Sequence, residues 1–192
     1  MNEYDELLSW QLLRKEFFMQ NKTKRMATNA MLAALCAVLG FVAIDMWTMK
    51  ITLESFPVNM GALLFGPVDG AIIAAIGSAI YQLLKYGVSA TTLLWIAPGV
   101  ISAVCLGLYA KKHGFKLTRM QMIVAVLLAE LLITVLNTGV IYIDSKMFGY
   151  YFPGYISMNL IPRLALCIGK GIVYGVVLHP MLESIKKAIK LG

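Results

Sequence analysis

Charge is scarce in this sequence. Asp, Glu, Lys and Arg make up 14% of its 192 residues, against about 25% in an ordinary soluble domain. A chain so poor in charge, 59% hydrophobic and with a mean hydropathy of +0.75, is an integral membrane protein. With only short polar stretches flanking the apolar runs, no separate soluble domain is expected in these 192 residues. Acidic residues are scarcer than basic ones, 10 against 17. The resulting excess of positive charge raises the question of nucleic acid. The basic residues, however, sit at the edges of apolar runs, which is a topology signal, so no nucleic-acid partner is expected. Cysteine is also scarce. Cys36, Cys105 and Cys167 each fall inside an apolar run with no CxxC spacing, which excludes a disulfide framework and a zinc site. His113 and His179 stand alone, no HExxH occurs, and no nucleophile is paired with a base. The "GKG" at 169–171 lacks both the opening glycine and the closing Ser or Thr of a phosphate loop. Neither an enzyme, nor a cofactor, nor a metal is expected, and the chain has no evident means of hydrolysing ATP.

What is present is a series of six apolar runs. Residues 1–22, "MNEYDELLSWQLLRKEFFMQNK", form a cytoplasmic leader suited either to a helix lying on the membrane surface or to a loose tail. No secretory signal is expected there. The first span covers about 24–46 and is followed by the polar and aromatic loop "DMWTMKITLESFP". The second begins after Pro57 as "VNMGALLFGP". It is only about 15 Å of helix, half of a hydrocarbon core of about 30 Å, so it either extends backward or is shielded by neighbours. "GPVDG" at 66–70 signals a tight turn. The third span covers 69–85, with Asp69 suited to a helix N-terminus. The fourth covers 92–110, the fifth 121–143 and the sixth 160–182. An all-α, six-helix membrane bundle follows, spanning 23–192.

Orientation comes from Lys and Arg. With the N-terminus inside, residues 14–25, 111–119 and 186–190 hold twelve basic residues on the cytoplasmic side, against Lys50, Lys85 and Lys146 outside. Both termini are then cytoplasmic.

The fifth span carries Glu130, Thr134, Asn137 and Thr138 close to one helical face. The sixth carries Arg163 and Lys170, seven apart and on one face. Charge at the centre of a bilayer costs at least about 2.5–3.5 kcal/mol, so such residues face the bundle or a cavity. Counted from the inner ends of their spans, Glu130 and Lys170 match in depth, as do Asn137 and Arg163 nearer the outside. Glu130 and Lys170 are therefore expected to approach as a structural ion pair. Asn137 and Arg163 are expected to line an outward-facing polar cavity, the alternative being that all four only stitch the two helices together. Trp95, just before Pro98-Gly99, is either an interfacial belt residue or a stacking surface for a flat ligand. Arg163 with Trp95 would suit a planar ligand bearing a negative group. In the first span Ala30 and Ala34 are four apart, as are Ala33 and Ala37. Small residues so spaced let another helix approach closely, either within the bundle or from another subunit.

These pieces together resemble the substrate-binding (S) component of energy-coupling factor (ECF) vitamin transporters. The resemblance covers about residues 22–190. It rests on the small-residue packing of "ALCAVL", on "FPVNMGALLFGPVDGAIIAAIGS", on "LLWIAPGVISAVCLGLYAKK" and on "LNTGVIY" with the later "IPRLALCIGKGIVYGVV". Among its branches the folate type is most similar, through "LNT" and "PR". That branch carries its "YFPGF"-like stretch before helix 4, whereas "YFPGY" here stands at 151–155, before helix 6, leaving a pyridine vitamin, pantothenate, a corrinoid or a precursor equally open. The resemblance implies a bundle in a prokaryotic plasma membrane that captures a vitamin from outside. It also implies docking on a membrane coupling subunit served by two ATPase subunits. The family's helix 1 docking motif falls on Ala30 and Ala34. Its substrate site, near the outer ends of helices 4 to 6 and capped by the outer loops, falls on Trp95, Asn137 and Arg163, with Trp47 as a lid residue. Two other classes remain to be weighed. A stand-alone secondary transporter should show internal repeats with paired broken helices, and no repeat is evident. A membrane enzyme needs a reactive constellation, and Glu130 alone is a poor one.

Overall fold

The computed structural model describes the backbone of residues 3–42, 44–46 and 49–189, and the side chains of residues 22–42, 52–154, 156–157 and 160–185. It is a bundle of six helices: α1 (Glu3–Phe41), α2 (Ser55–Phe65), α3 (Pro67–Tyr86), α4 (Thr92–Lys112), α5 (Arg119–Met147) and α6 (Tyr155–Ile189). Strands β1 (Ile44–Met46) and β2 (Met49–Ile51) form an antiparallel hairpin between α1 and α2, pairing Ile44 with Ile51 and Asp45 with Lys50.

Helix α1 is continuous from Glu3, so residues 3–22 run on into the first span. Its 39 residues correspond to about 58 Å, nearly twice a hydrocarbon core. It stops at Phe41 rather than near residue 46, because the following residues pair with one another as the hairpin. Among the described residues, α3, α4, α5 and the 160–185 part of α6 are long and apolar enough to cross a membrane. Their outward faces are apolar at helical spacing, as in Ile72, Ile76 and Leu83 of α3 or Ile168, Ile172 and Val176 of α6, which suits contact with lipid chains.

Helix α2 has 11 residues and is buried at every position from Pro57 to Leu64. It packs among α1, α3, α4 and α6. This resolves the problem of its length. A helix too short to span can lie in the bilayer when other helices, not lipid, surround its ends. The corner between α2 and α3 is built by the "GPVDG" turn. Gly66 has φ +98°, a conformation that a side chain resists. Pro67 opens α3, where its missing N–H is not needed. Helix α4 crosses this corner at Gly107, where an added Cβ would stand 2.4 Å from the Pro67 nitrogen.

Asp69, in the first turn of α3, is held from α1. The Arg25 Nε–H donates to its Oδ1 at 2.9 Å, Asn29 donates to the same oxygen at 2.5 Å, and Arg25 Nη2 pairs with Oδ2. The core proper gathers Leu32 and Cys36 of α1, Leu63 of α2, Ile73 of α3, Leu106 of α4 and Val126 of α5. Helix α5 starts with a reciprocal capping box between Thr118 and Gln121 and packs along the length of α6.

Candidate functional site

The polar residues converge on one cavity of about 120 Å³. Five of the six helices and the segment before α2 contribute to its wall. Thr52, Glu54, Ser55 and Val58 come from the start of α2 and the residues before it. Ser78 comes from α3, and Trp95 and Gly99 from α4. Glu130, Thr134 and Asn137 come from α5, and Arg163, Cys167 and Lys170 from α6. The start of α2, the start of α4, the end of α5 and the start of α6 all lie at the end of the bundle that the positive charges place outside. The cavity therefore lies toward that end of the bundle.

Its floor is ionic. Lys170 Nζ lies 3.1 Å from Glu130 Oε2, with the Glu130 side chain 2% exposed and that of Lys170 22%. Asn59 Nδ2 of α2 donates to the other carboxylate oxygen at 3.0 Å. The Lys170 ammonium also stands over the Tyr174 ring, 5.6 Å from its centroid. A buried carboxylate is tolerable only with such partners. The ion pair is thus part of the cavity as well as a tie between α5 and α6.

Higher on the same wall, Arg163 Nη1 donates to Thr138 Oγ1 at 3.5 Å. The Thr134 and Thr138 hydroxyls each donate to a carbonyl one turn back, at 2.9 and 2.7 Å. Much of the polar stripe of α5 is therefore satisfied within its own helix. Asn137, Arg163 and Trp95 all line the cavity. Trp95 is half-buried and its indole N–H donates to Asp144 Oδ1 at 3.4 Å. Pro98, three residues on, lies inside α4 and cannot donate to the carbonyl of Leu94. Trp47 lies outside the described residues.

On α1 the alanines divide by face. Ala33 and Ala37 are buried, 4% and 6% exposed. Ala30 and Ala34 are exposed beside Met31, Leu35 and Val38.

Sequence reasoning missed Glu54, Ser55 and Ser78 in the wall, Asn59 beneath it and Asp144 behind Trp95. Glu54 sits in a segment with no helical period, so nothing in the local pattern aims it inward. Burial pushes its carboxyl above the ordinary carboxylate range, and the nearby Lys170 ammonium draws it partly back. Among the described residues no three His, Cys, Asp or Glu side chains gather as metal ligands. The wall presents a guanidinium, an indole face, an amide, hydroxyls, a buried thiol, the ammonium of Lys170 paired with Glu130, and the Glu54 carboxylate. That set can bind and orient a small polar molecule, and it holds no activated nucleophile.

A family model described as the substrate-specific component of ECF transporters matches residues 24–182. No curated protein sequence matches the chain. Among solved structures, the S-component for biotin from an ECF-type ABC transporter superposes with a TM-score of 0.65 at 18% identity, over 84% of this chain and 92% of that one. The S component of a bacterial ECF transporter superposes with a TM-score of 0.60 at 19% identity, over 88% and 99%. At these identities the likeness is one of fold.

Proposed function

The chain belongs to the family of ECF transporter substrate-specific components, membrane-embedded substrate-binding subunits and not enzymes, and we propose that its outward cavity captures a small, planar, anionic vitamin or vitamin precursor. The observation that carries this reading is the meeting of the Arg163 guanidinium and the Trp95 indole in the wall of a single cavity. Guanidinium pairs with carboxylate or phosphate through two parallel hydrogen bonds, and the indole offers a stacking face. Asn137 adds a donor and an acceptor beside them. The family resemblance gives Trp47, in the segment between the first two helices, the role of a lid residue. The loaded protein then docks through Ala30 and Ala34 on a coupling membrane subunit, whose two ATPase subunits power uptake. The support for the docking step is that these two alanines face away from the bundle while Ala33 and Ala37 face in.

A thermal-shift screen of the detergent-purified protein tests the reading. The panel holds biotin, folates, pantothenate, pyridine vitamins and corrinoids with their precursors. A ligand at a hundredfold excess over its Kd stabilises by about 2.7 kcal/mol, a readily visible shift. One hit, lost in Arg163→Ala, is expected. A panel with no hit at all overturns the vitamin reading. Uptake that proceeds without the coupling and ATPase subunits would instead favour a stand-alone secondary transporter.

A further inference from the structure

Asp144 is a buried carboxylate in an unfavourable place. It is 8% exposed and lies in the final turn of α5, which ends at Met147. The carbonyl end of a helix disfavours an anion, and burial disfavours it further. Among the described residues no ion pair reaches it. Its carboxylate is instead held by two neutral donors from two other segments. The Trp95 indole N–H of α4 donates to Oδ1 at 3.4 Å, and the Tyr150 hydroxyl, from the loop between α5 and α6, donates to Oδ2.

That loop is folded back on α5. The Tyr150 and Tyr151 N–H groups both donate to the carbonyl of Ser145, at 3.1 and 3.2 Å. Gly149 reverses the chain with φ +75°. The Tyr151 ring meets that of Tyr142 edge-on at 5.5 Å, and the Lys146 ammonium stands 5.0 Å from the Tyr151 centroid. Tyr150 itself is 44% exposed, yet its hydroxyl reaches inward to a buried group. Asp144 is thus the point where an exposed outer loop and an indole of the cavity wall are joined through one side chain.

We propose that Asp144 is a positioning residue of the cavity. Its carboxylate fixes the Trp95 indole in the wall and fastens it to Tyr150, so that the wall and the loop outside it move as one piece. A purely local role, satisfying a helix end, would not need donors from two separate segments. The proposal rests on the cavity being the capture site, but its test uses no ligand, so the two readings fail separately.

Trp95 is one of three tryptophans. In a Trp10→Phe/Trp47→Phe background it reports alone, by acrylamide quenching of its fluorescence. Cys167, which lines the cavity and is 3% exposed, gives a second readout. Its alkylation rate by a small methanethiosulfonate is measured with Cys36 and Cys105 replaced by alanine. Tyr150→Phe removes one hydroxyl and should leave the bundle folded. It is expected to raise the Trp95 quenching constant about twofold and the Cys167 rate about fivefold. Asp144→Asn, which leaves one acceptor oxygen for two donors, is expected to do the same. In an Asp144→Ala background Tyr150→Phe should add nothing further. A Tyr150→Phe protein of unchanged thermal stability, with unchanged quenching and unchanged alkylation, overturns the proposal. So would effects of Asp144→Ala and Tyr150→Phe that simply add.

Discussion

The Lys170 ammonium stands 3.1 Å from the Glu130 carboxylate, which also accepts a hydrogen bond from Asn59. Three helices, α2, α5 and α6, thus meet at one buried charge at the floor of the cavity. Removing one partner leaves the other uncompensated, which costs about 3–5 kcal/mol for a buried pair. Because Lys170 retains some exposure, the lower end of that range is expected for Glu130→Gln and for Lys170→Met. The double variant should lose at least about 1 kcal/mol less than the two single losses together. Unfolding of the three purified variants in detergent measures this. Full additivity would show that the two groups do not act as a pair.

Close approach at the α2–α3 corner makes a sharper packing prediction. An added Cβ at Gly107 would meet backbone atoms of Gly66 and Pro67 at 2.4 to 2.7 Å, whereas at Gly139 nothing lies within 4 Å. Backbone cannot give way as a side chain end can, and overpacking costs about 1–3 kcal/mol. Gly107→Ala should therefore lower the unfolding midpoint clearly. Gly139→Ala should be neutral or slightly stabilising, since alanine favours helix by up to about 1 kcal/mol. Equal midpoints for the two variants would contradict the crossing of α4 over Pro67.

The two faces of α1 can be told apart by where a bulky residue does harm. Ala33 and Ala37 are buried, and Ala30 and Ala34 are exposed. Ala33→Leu should destabilise the isolated subunit. Ala30→Leu with Ala34→Leu should leave its midpoint and ligand binding unchanged while abolishing uptake in cells that carry the coupling and ATPase subunits. Uptake that survives the double change would remove the docking role from this face.

Arg163 and Asn137 should differ in weight. A hydrogen bond to a charged group contributes about 1.5–3 kcal/mol, against about 1 kcal/mol for a neutral one. Arg163→Ala is thus expected to weaken binding of the screening hit by roughly 10- to 150-fold, and Asn137→Ala by about fivefold. Arg163→Lys should recover part of the loss, because it restores the charge without the planar fork. Titration of each variant by isothermal calorimetry supplies the values. An Arg163→Ala protein that binds as tightly as the parent would mean the ligand carries no anion at this position.

The α5 and α6 parts of the site were legible in sequence because each depends on a single helix. Glu130 and Asn137 sit seven apart, as do Arg163 and Lys170, and helical period alone puts each pair on one face. The remaining wall was not legible. Glu54 precedes and Ser55 opens a short helix whose start the sequence placed only after Pro57, and Ser78 reads as one small residue among alanines and isoleucines. Asp144 opened what read as a loop, "DSKMFGYYFPGYISMN", whereas α5 continues to Met147 with Asp144 in its final turn and α6 already begins at Tyr155.

By itself the sequence determined the membrane class, the number and order of the helices, and the polar stripes on α5 and α6. These follow from composition and from periods along one chain segment, which need no knowledge of neighbours. The tertiary structure decided that α2 lies enclosed, which alanines of α1 face outward, and that Trp95, Glu54 and Ser78 join the α5 and α6 residues around one cavity. Those are contacts between segments far apart in the chain. They are set by how closely helices pack at Gly77, Gly107 and Gly171, and no local pattern encodes which distant segment a glycine will meet.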